Sequence, residues 1–390
     1  MKPIYLYITP FFPSVRNWRG SYCLDFVKAL KRTGRYEVVV FVPGDGLRYE
    51  IDGVTVNTFV ERKLPGGVFP FAFNRLNVAA LLRGLKAHGI AWGQIAICHA
   101  NTAEYVVYPL AIKRLNSACL TLLHHHDLQS FGLNGGRLKH CWLYNLYLFL
   151  TLRKLHEQID CHVFISEASR RSFLVAPNTN WTEYADYKCQ MRGLPYRPAK
   201  IRRSVVLHNG VDTSIFHPKS SEKHFAYPFT IGCVANFDQL KDQLTLLKAV
   251  ESIKGCRVIF VGSGACRKAC ERYATSHSLD VEFRSEVAHE KLAEFYRSLD
   301  LFVLPSVFEG FGCVYVEAWC CGVPFLACEG QGIEDLIQDQ DRHLWLVHQH
   351  DVADLRSKIV YYMQHRPCQE LSDSVNIDEI VKAFVGEVKS

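Results

Sequence analysis

Two carboxylates and a lysine have types and spacing that could do chemistry together. Glu309 lies in Pro305-Ser306-Val307-Phe308-Glu309-Gly310-Phe311-Gly312, and Glu317 falls about two turns into the helix that follows. Leu301-Phe302-Val303-Leu304 reads as a buried parallel strand, and Val314, Glu317, Ala318 and Cys321 recur at helical spacing until Gly322 and Pro324 stop them. Strand, glycine loop and helix in this order gather unpaired amides and the positive end of a helix dipole in one place. That suits an anionic ligand, although two nearby acids could also be a general acid and base.

Lys241 ends Val234-Ala235-Asn236-Phe237-Asp238-Gln239-Leu240-Lys241 and precedes a helix carrying Leu244, Leu247 and Val250. A cation beside a helix N-terminus is unfavourable unless an anion accompanies it, which suggests a phosphate partner. A solvated surface lysine is the plainer alternative. Val261-Gly262-Ser263-Gly264 is a tight turn after a strand, a weak dinucleotide-type signal without the third glycine and distal acid.

In the first half, Thr9-Pro10-Phe11-Phe12-Pro13 with Arg16, Trp18, Arg19 and Gly20 follows the first strand. It is either a ligand loop or an ordinary connection. His124-His125-His126-Asp127 ends a later strand. Successive strand residues alternate faces, so these three histidines cannot form a facial metal triad. One of them turned toward a ligand could donate a hydrogen bond to a sugar or phosphate; strand-end capping is the alternative.

The elements that must position these groups alternate regularly. Strands are expected at 4–8, 38–42, 94–98, 119–123, 161–165 and 205–207, and again at 230–234, 258–261, 281–283, 301–304 and 324–328. Helices fit between them; Val78, Leu81, Leu82 and Leu85 share one face of one, which Gly89 ends. Each half therefore reads as an α/β, doubly wound parallel sheet, whose ligands bind at the carboxyl ends of the strands. A polar segment from His217 to Lys223 looks like the linker.

A length of 390 residues implies two or three domains, and 48% hydrophobic against 22% charged residues is a globular balance. A net charge of +6 does not point to nucleic acid. The longest apolar run, Trp142 to Leu150, is too short to cross a bilayer. Fifteen cysteines without a C-x-x-C pair or a secretion signal indicate buried free thiols in a reducing cytoplasm. The stretch from Asn178 to Arg203, with Lys188, Arg192, Arg197, Lys200, Arg202 and Arg203, reads as a lid, a membrane-facing basic loop or a plain solvated insertion.

Together, Asn209-Gly210-Val211-Asp212 with Phe216 and Pro218, the Lys241 segment, Gly262-Ser263-Gly264, and Glu309-Gly310-Phe311-Gly312 through Glu317 resemble glycosyltransferase family 4. The likeness covers the second half closely and the first in outline. It implies the GT-B fold, two Rossmann-like domains facing a cleft: 1–218 for the acceptor, 219–374 for the donor, and a terminal helix in 375–390 that crosses back to the first. It implies a retaining hexosyltransferase moving a sugar from a UDP- or GDP-linked donor to a saccharide or lipid-linked saccharide hydroxyl, in cell-surface polysaccharide or lipopolysaccharide synthesis. The location would be cytoplasmic, peripheral on the inner membrane face if the basic insertion contacts lipid.

By the same resemblance Glu317 would bind the ribose hydroxyls and Glu309 the donor sugar, with the amides of Gly310, Phe311 and Gly312 beside it. Lys241 would hold the diphosphate and His126 would lie near the transferred sugar. Asn236, Gly262, Gly264, Gly20 and Arg19 would complete the donor contacts, and base recognition would fall around Arg284 to Val287. No metal ion would be required. The chain departs from the family in having Asn236 where many members carry Arg, a gap Arg16 or Arg19 could fill, and in having only Gly20 where members often carry paired glycines. A nucleotide-sugar epimerase, a phosphorylase and a non-catalytic nucleotide-sugar-binding subunit are the rival readings.

Overall fold

The computed structural model describes residues 2–14, 20–62, 74–126, 154–174, 199–218 and 227–388. Arg16, Trp18, Arg19, Asp127, the apolar run from Trp142 and most of the basic insertion lie outside the described residues. The chain divides into two compact units, one holding the described residues up to Asn209 together with those from Ile377 onward, the other holding Gly210–Asn376.

In the first unit eight strands form one sheet: β1 (Ile4–Ile8), β2 (Glu37–Pro43), β3 (Arg48–Ile51), β4 (Val54–Phe59), β5 (Ile95–Ala100), β6 (Leu120–His125), β7 (Cys161–Phe164) and β8 (Ser204–Val206). Their order is β3-β4-β2-β1-β5-β6-β7-β8, parallel throughout except for the β3–β4 hairpin. Every residue of β1 is buried, as a parallel strand covered on both faces requires. One face packs against helices Asn74–Ala87 and Val107–Leu115 through Leu81, Leu85, Leu110 and Ile112. The other packs against helix Ser21–Arg32 and the terminal helix Ile377–Glu387, where Leu24, Val27 and Leu30 join Val381, Phe384 and Val385. An Arg32–Asp378 ion pair at 2.7 Å ties those two helices at the surface.

The second unit carries β9 (Phe229–Val234), β10 (Cys256–Val261), β11 (Val281–Arg284), β12 (Leu301–Leu304), β13 (Phe325–Cys328) and β14 (Leu346–Val347). All are parallel, in the order β11-β10-β9-β12-β13-β14. The order reverses between β9 and β12, as it does between β1 and β5 in the first sheet. Loops leaving the carboxyl ends of those four strands therefore open into crevices that suit a ligand.

The second unit begins at Gly210, earlier than the boundary expected at residue 218. The reason lies in its contacts. Val211 pairs with Asn376 and its amide donates to the Val375 carbonyl at 2.9 Å, Phe216 is buried, and Arg297 donates to the carbonyls of Ile215 and His217. The described cysteines are free thiols, most of them buried. Among the described residues no helix is long and apolar enough to cross a membrane.

Candidate active site

At the switch point of the second sheet the loops after β9 and β12 are stitched together by the Val307 amide, which donates to the Leu240 carbonyl at 2.7 Å. This brings the Lys241 ammonium within 2.6 Å of the Glu309 carboxylate. Ser306, fully buried, donates to the same Glu309 oxygen at 2.8 Å. The lysine side chain is 22% exposed, which rules out a solvated surface lysine. Burial opposes its charge, but the Glu309 carboxylate more than offsets this and holds the ammonium above its ordinary range. The cation at the start of helix Gln243–Val250 is thus matched by a carboxylate from the neighbouring loop. Breaking a pair this enclosed costs about 3–5 kcal/mol because it strands the remaining charge.

Gly310 and Phe311 continue this loop, and Gly312 caps helix Cys313–Cys320 in a left-handed conformation. The loop is braced from behind: Gln331 donates to the Ser306 carbonyl, and Tyr315 shares its one hydroxyl proton between the Leu304 carbonyl at 2.8 Å and Gln331 Oε1 at 3.1 Å.

Glu317 is buried, with its two oxygens on different donors. Tyr296 Oη donates to one at 2.7 Å, and His289 Nε2 meets the other at 2.9 Å. His289 and Tyr296 are two turns apart on helix His289–Arg297, so both reach the same acid. Sequence reasoning missed both, because such spacing on an amphipathic helix also describes ordinary core residues. The carboxylate is consequently fixed in orientation.

Gly262 and Gly264 pack against the turn that carries Asn236. A Cβ on Gly262 would sit 2.1 Å from the Ala235 carbonyl oxygen, and one on Gly264 2.3 Å from that of Phe237, and both glycines have φ of +146°. The Phe237 amide donates to the Ser263 carbonyl between them. This backbone approach by itself requires glycine at both positions. Asn236 is exposed, and its carbonyl accepts from Gln243 at 2.9 Å. The Arg284 carbonyl at the end of β11 accepts from Arg267 at 3.0 Å, and Ser263 donates to Glu286. The Arg284–Val287 stretch therefore borders the glycine turn. A cavity of about 600 Å³ lies at the opposite strand ends, lined by Phe229, Asp300, Trp319 and Pro324 and reached by none of these groups.

In the first unit His126 stands at the switch point between β1 and β5. Asn101, directly after β5, donates from Nδ2 to Thr9 Oγ1 at 3.2 Å and to Cys23 Sγ at 3.1 Å, so its Oδ1 is the acceptor for His126 Nε2. His126 therefore carries its proton on Nε2 and a lone pair on Nδ1, which has no partner among the described residues. Loss of hydration lowers its pKa to about 3, so it is neutral. The tautomer reverses the expected direction of its bond: it can accept from a sugar hydroxyl, while its donor is already used. Asn101 was not foreseen. A polar residue straight after a buried strand was the available signal. Gly20, at the head of helix Ser21–Arg32, approaches the Phe11 backbone too closely to carry a Cβ.

Comparison with known proteins supplies the class and then the family. Sucrose-phosphate synthase from Thermosynechococcus elongatus superposes over 100% of this chain and 95% of its own, with a TM-score of 0.68 at 18% identity. Anabaena HepE in complex with UDP and glucose does so over 99% and 95%, with a TM-score of 0.62 at 18% identity. The two parallel-sheet α/β units are a GT-B fold. A model of Glycosyltransferase Family 4 matches residues 20–176, and one of Glycosyl transferases group 1 matches residues 228–365. The sulfoquinovosyl transferase of Arabidopsis thaliana is 24% identical over 393 residues, taking in 98% of this chain and 70% of that protein. The D-inositol 3-phosphate glycosyltransferase of Mycolicibacterium smegmatis is 31% identical over 175 residues, 42% of this chain and 40% of that protein. The chain belongs to glycosyltransferase family 4, and it is a glycosyltransferase of GT-B type.

Proposed function

We propose that the protein transfers a hexose from a nucleoside diphosphate sugar to a hydroxyl of a saccharide or lipid-linked saccharide, with the anomeric configuration kept. The observation that carries this reading is the enclosed Lys241–Glu309 pair at the switch point, with the oriented acid Glu317 on the next helix. Lys241 is a cation that stays charged, placed beside helix-end amides. The leaving diphosphate gains negative charge as the glycosidic bond breaks, so these fixed groups stabilise the transition state more than the ground state. Glu309, freed from the lysine by the incoming phosphate, would accept from the donor sugar's hydroxyls. Glu317 would accept from the ribose, with Gly310, Phe311, Gly312, Asn236, Gly262 and Gly264 shaping the donor seat. His126 would be the first unit's acceptor for a sugar hydroxyl. With Glu309 taken up by the donor sugar's hydroxyls and Glu317 by the ribose, neither carboxylate is left to attack the anomeric carbon, which favours a same-face, ion-pair-like displacement over a covalent intermediate.

Named relatives support a nucleotide-sugar donor without fixing its base. HepE has been solved with UDP-glucose, and a Corynebacterium glutamicum relative, 26% identical over 207 residues, is described as a GDP-mannose-dependent mannosyltransferase acting on a monoacylated phosphatidylinositol monomannoside. Such acceptors agree with a cytoplasmic enzyme of cell-surface glycan assembly, peripheral on the membrane. The test is a panel of UDP- and GDP-sugars with and without saccharide acceptors, read by proton NMR. Acceptor-dependent release of the nucleoside diphosphate, with the donor's anomeric configuration in the product, is expected. Conversion of the donor alone would mark an epimerase, and binding without transfer to any acceptor would mark a non-catalytic subunit.

A further inference from the structure

The alternation that keeps His124, His125 and His126 from converging sends His125 to the face of the first sheet opposite His126. There it meets His156, just ahead of β7, and His162 on β7, where His162 lies across from Leu123 in the β6–β7 register. One ring nitrogen of each lies within 4.8 Å of the other two, and all three residues are buried. We propose that His125, His156 and His162 bind one first-row divalent metal ion, zinc by its chemistry, at a site apart from the transfer machinery.

The tautomers favour it. His162 Nε2 donates to the His156 carbonyl at 3.0 Å and His156 Nε2 donates to the Ala103 carbonyl at 3.1 Å. A carbonyl only accepts, so both rings carry their proton on Nε2 and a lone pair on Nδ1. Ring N–H groups bound to backbone carbonyls are how ligating histidines are held in orientation. His125 Nε2 stands 2.8 Å from His162 Nδ1, and moving its proton to Nδ1 presents a third lone pair. Phe164 stacks on His125 at 4.6 Å, and Phe173 packs on all three rings at 5.0, 6.0 and 5.6 Å, which makes an aromatic shell.

Three neutral imidazoles select zinc over magnesium or calcium, which require oxygen donors. Zinc–nitrogen bonds of about 2.0–2.1 Å place ligand atoms about 3.4 Å apart, so the close His125–His162 contact opens and the widest separation closes. Water or hydroxide takes the fourth position. The ion would clamp β6 to β7 and to the turn that carries His156, next to the strand end that presents His126.

The experiment uses the full chain, stripped with chelator, incubated with zinc chloride, desalted and assayed by elemental mass spectrometry. One retained equivalent is expected, falling about tenfold in His156→Gln and His162→Gln but not in His277→Gln, a surface control. Zinc should also raise the thermal midpoint of the stripped wild type by several degrees, a readout independent of variant folding. Retention below about a tenth of an equivalent in wild type, no midpoint shift, or full retention in the two variants would each overturn the proposal.

Discussion

Tyr296→Phe isolates one oxygen. The phenol donates at 2.7 Å to Glu317 Oε2, both residues are buried, and burial followed by the Glu317 charge holds the phenol well above its ordinary pKa, so it is a neutral donor. Phenylalanine keeps the ring and its edge contact with Phe302 at 5.6 Å, and removes only the hydroxyl. A hydrogen bond to a buried charge is worth about 1.5–3 kcal/mol, with His289 still on the other oxygen. For a unit of about this size each kcal/mol moves the midpoint by about 2–4 °C, so a drop of about 3–12 °C is expected in the transition of the second unit. Calorimetric unfolding measures it, and a double-mutant cycle with Glu317→Gln should show coupling of about 1 kcal/mol or more. Under the proposed ribose role, the same change also weakens nucleoside diphosphate binding about tenfold, or about 1.4 kcal/mol. A loss below about 0.5 kcal/mol, or strict additivity with Glu317→Gln, would refute the assignment of Tyr296 as the residue that positions Glu317.

Gly262→Ala forces a Cβ against the Ala235 carbonyl at an unfavourable φ, so a stability loss of at least about 1–3 kcal/mol is expected in urea unfolding, and a neutral result would show that the turn is not held as described. His99 has its pKa lowered to about 3 by burial and then by His126. The unfolded chain takes up a proton there below about pH 6.5, so this contribution is whole above pH 6.5 and is lost as pH falls toward 3, by about 1.4 kcal/mol per pH unit. His99→Gln should flatten the pH slope of the unfolding free energy between pH 4 and 6 by that amount, and an unchanged slope would contradict the burial of a neutral ring. Lys241→Met leaves Glu309 enclosed beside Ser306 without its cation, and a destabilisation of about 3–5 kcal/mol by denaturant titration is expected, against near zero for a solvent-screened pair.

Most strands were legible because parallel strands covered on both faces are written as apolar runs, and only their ends moved. The β3–β4 hairpin escaped although its signal was present, since Asp52 and Gly53 form the turn with φ of +45° and +72°. β14, two residues long, leaves no pattern. Lys241, Glu309 and Glu317 could be picked out because each sits in a local motif. His289, Tyr296 and Asn101 could not, because what matters about them is the distant group they touch. The same holds for His125, His156 and His162: the sequence shows that neighbouring histidines diverge, and only the order of β6 and β7 in the sheet shows where His125 goes.

The central claim is that the Lys241–Glu309–Glu317 constellation seats a nucleoside diphosphate sugar. Calorimetric titration of UDP and GDP, with turnover on the sugar donor each supports, tests it most directly. Glu317→Ala should weaken nucleotide binding about tenfold or more, and Lys241→Ala should lower kcat, in variants whose circular dichroism matches wild type. Affinity unchanged in the first and kcat unchanged in the second would contradict it.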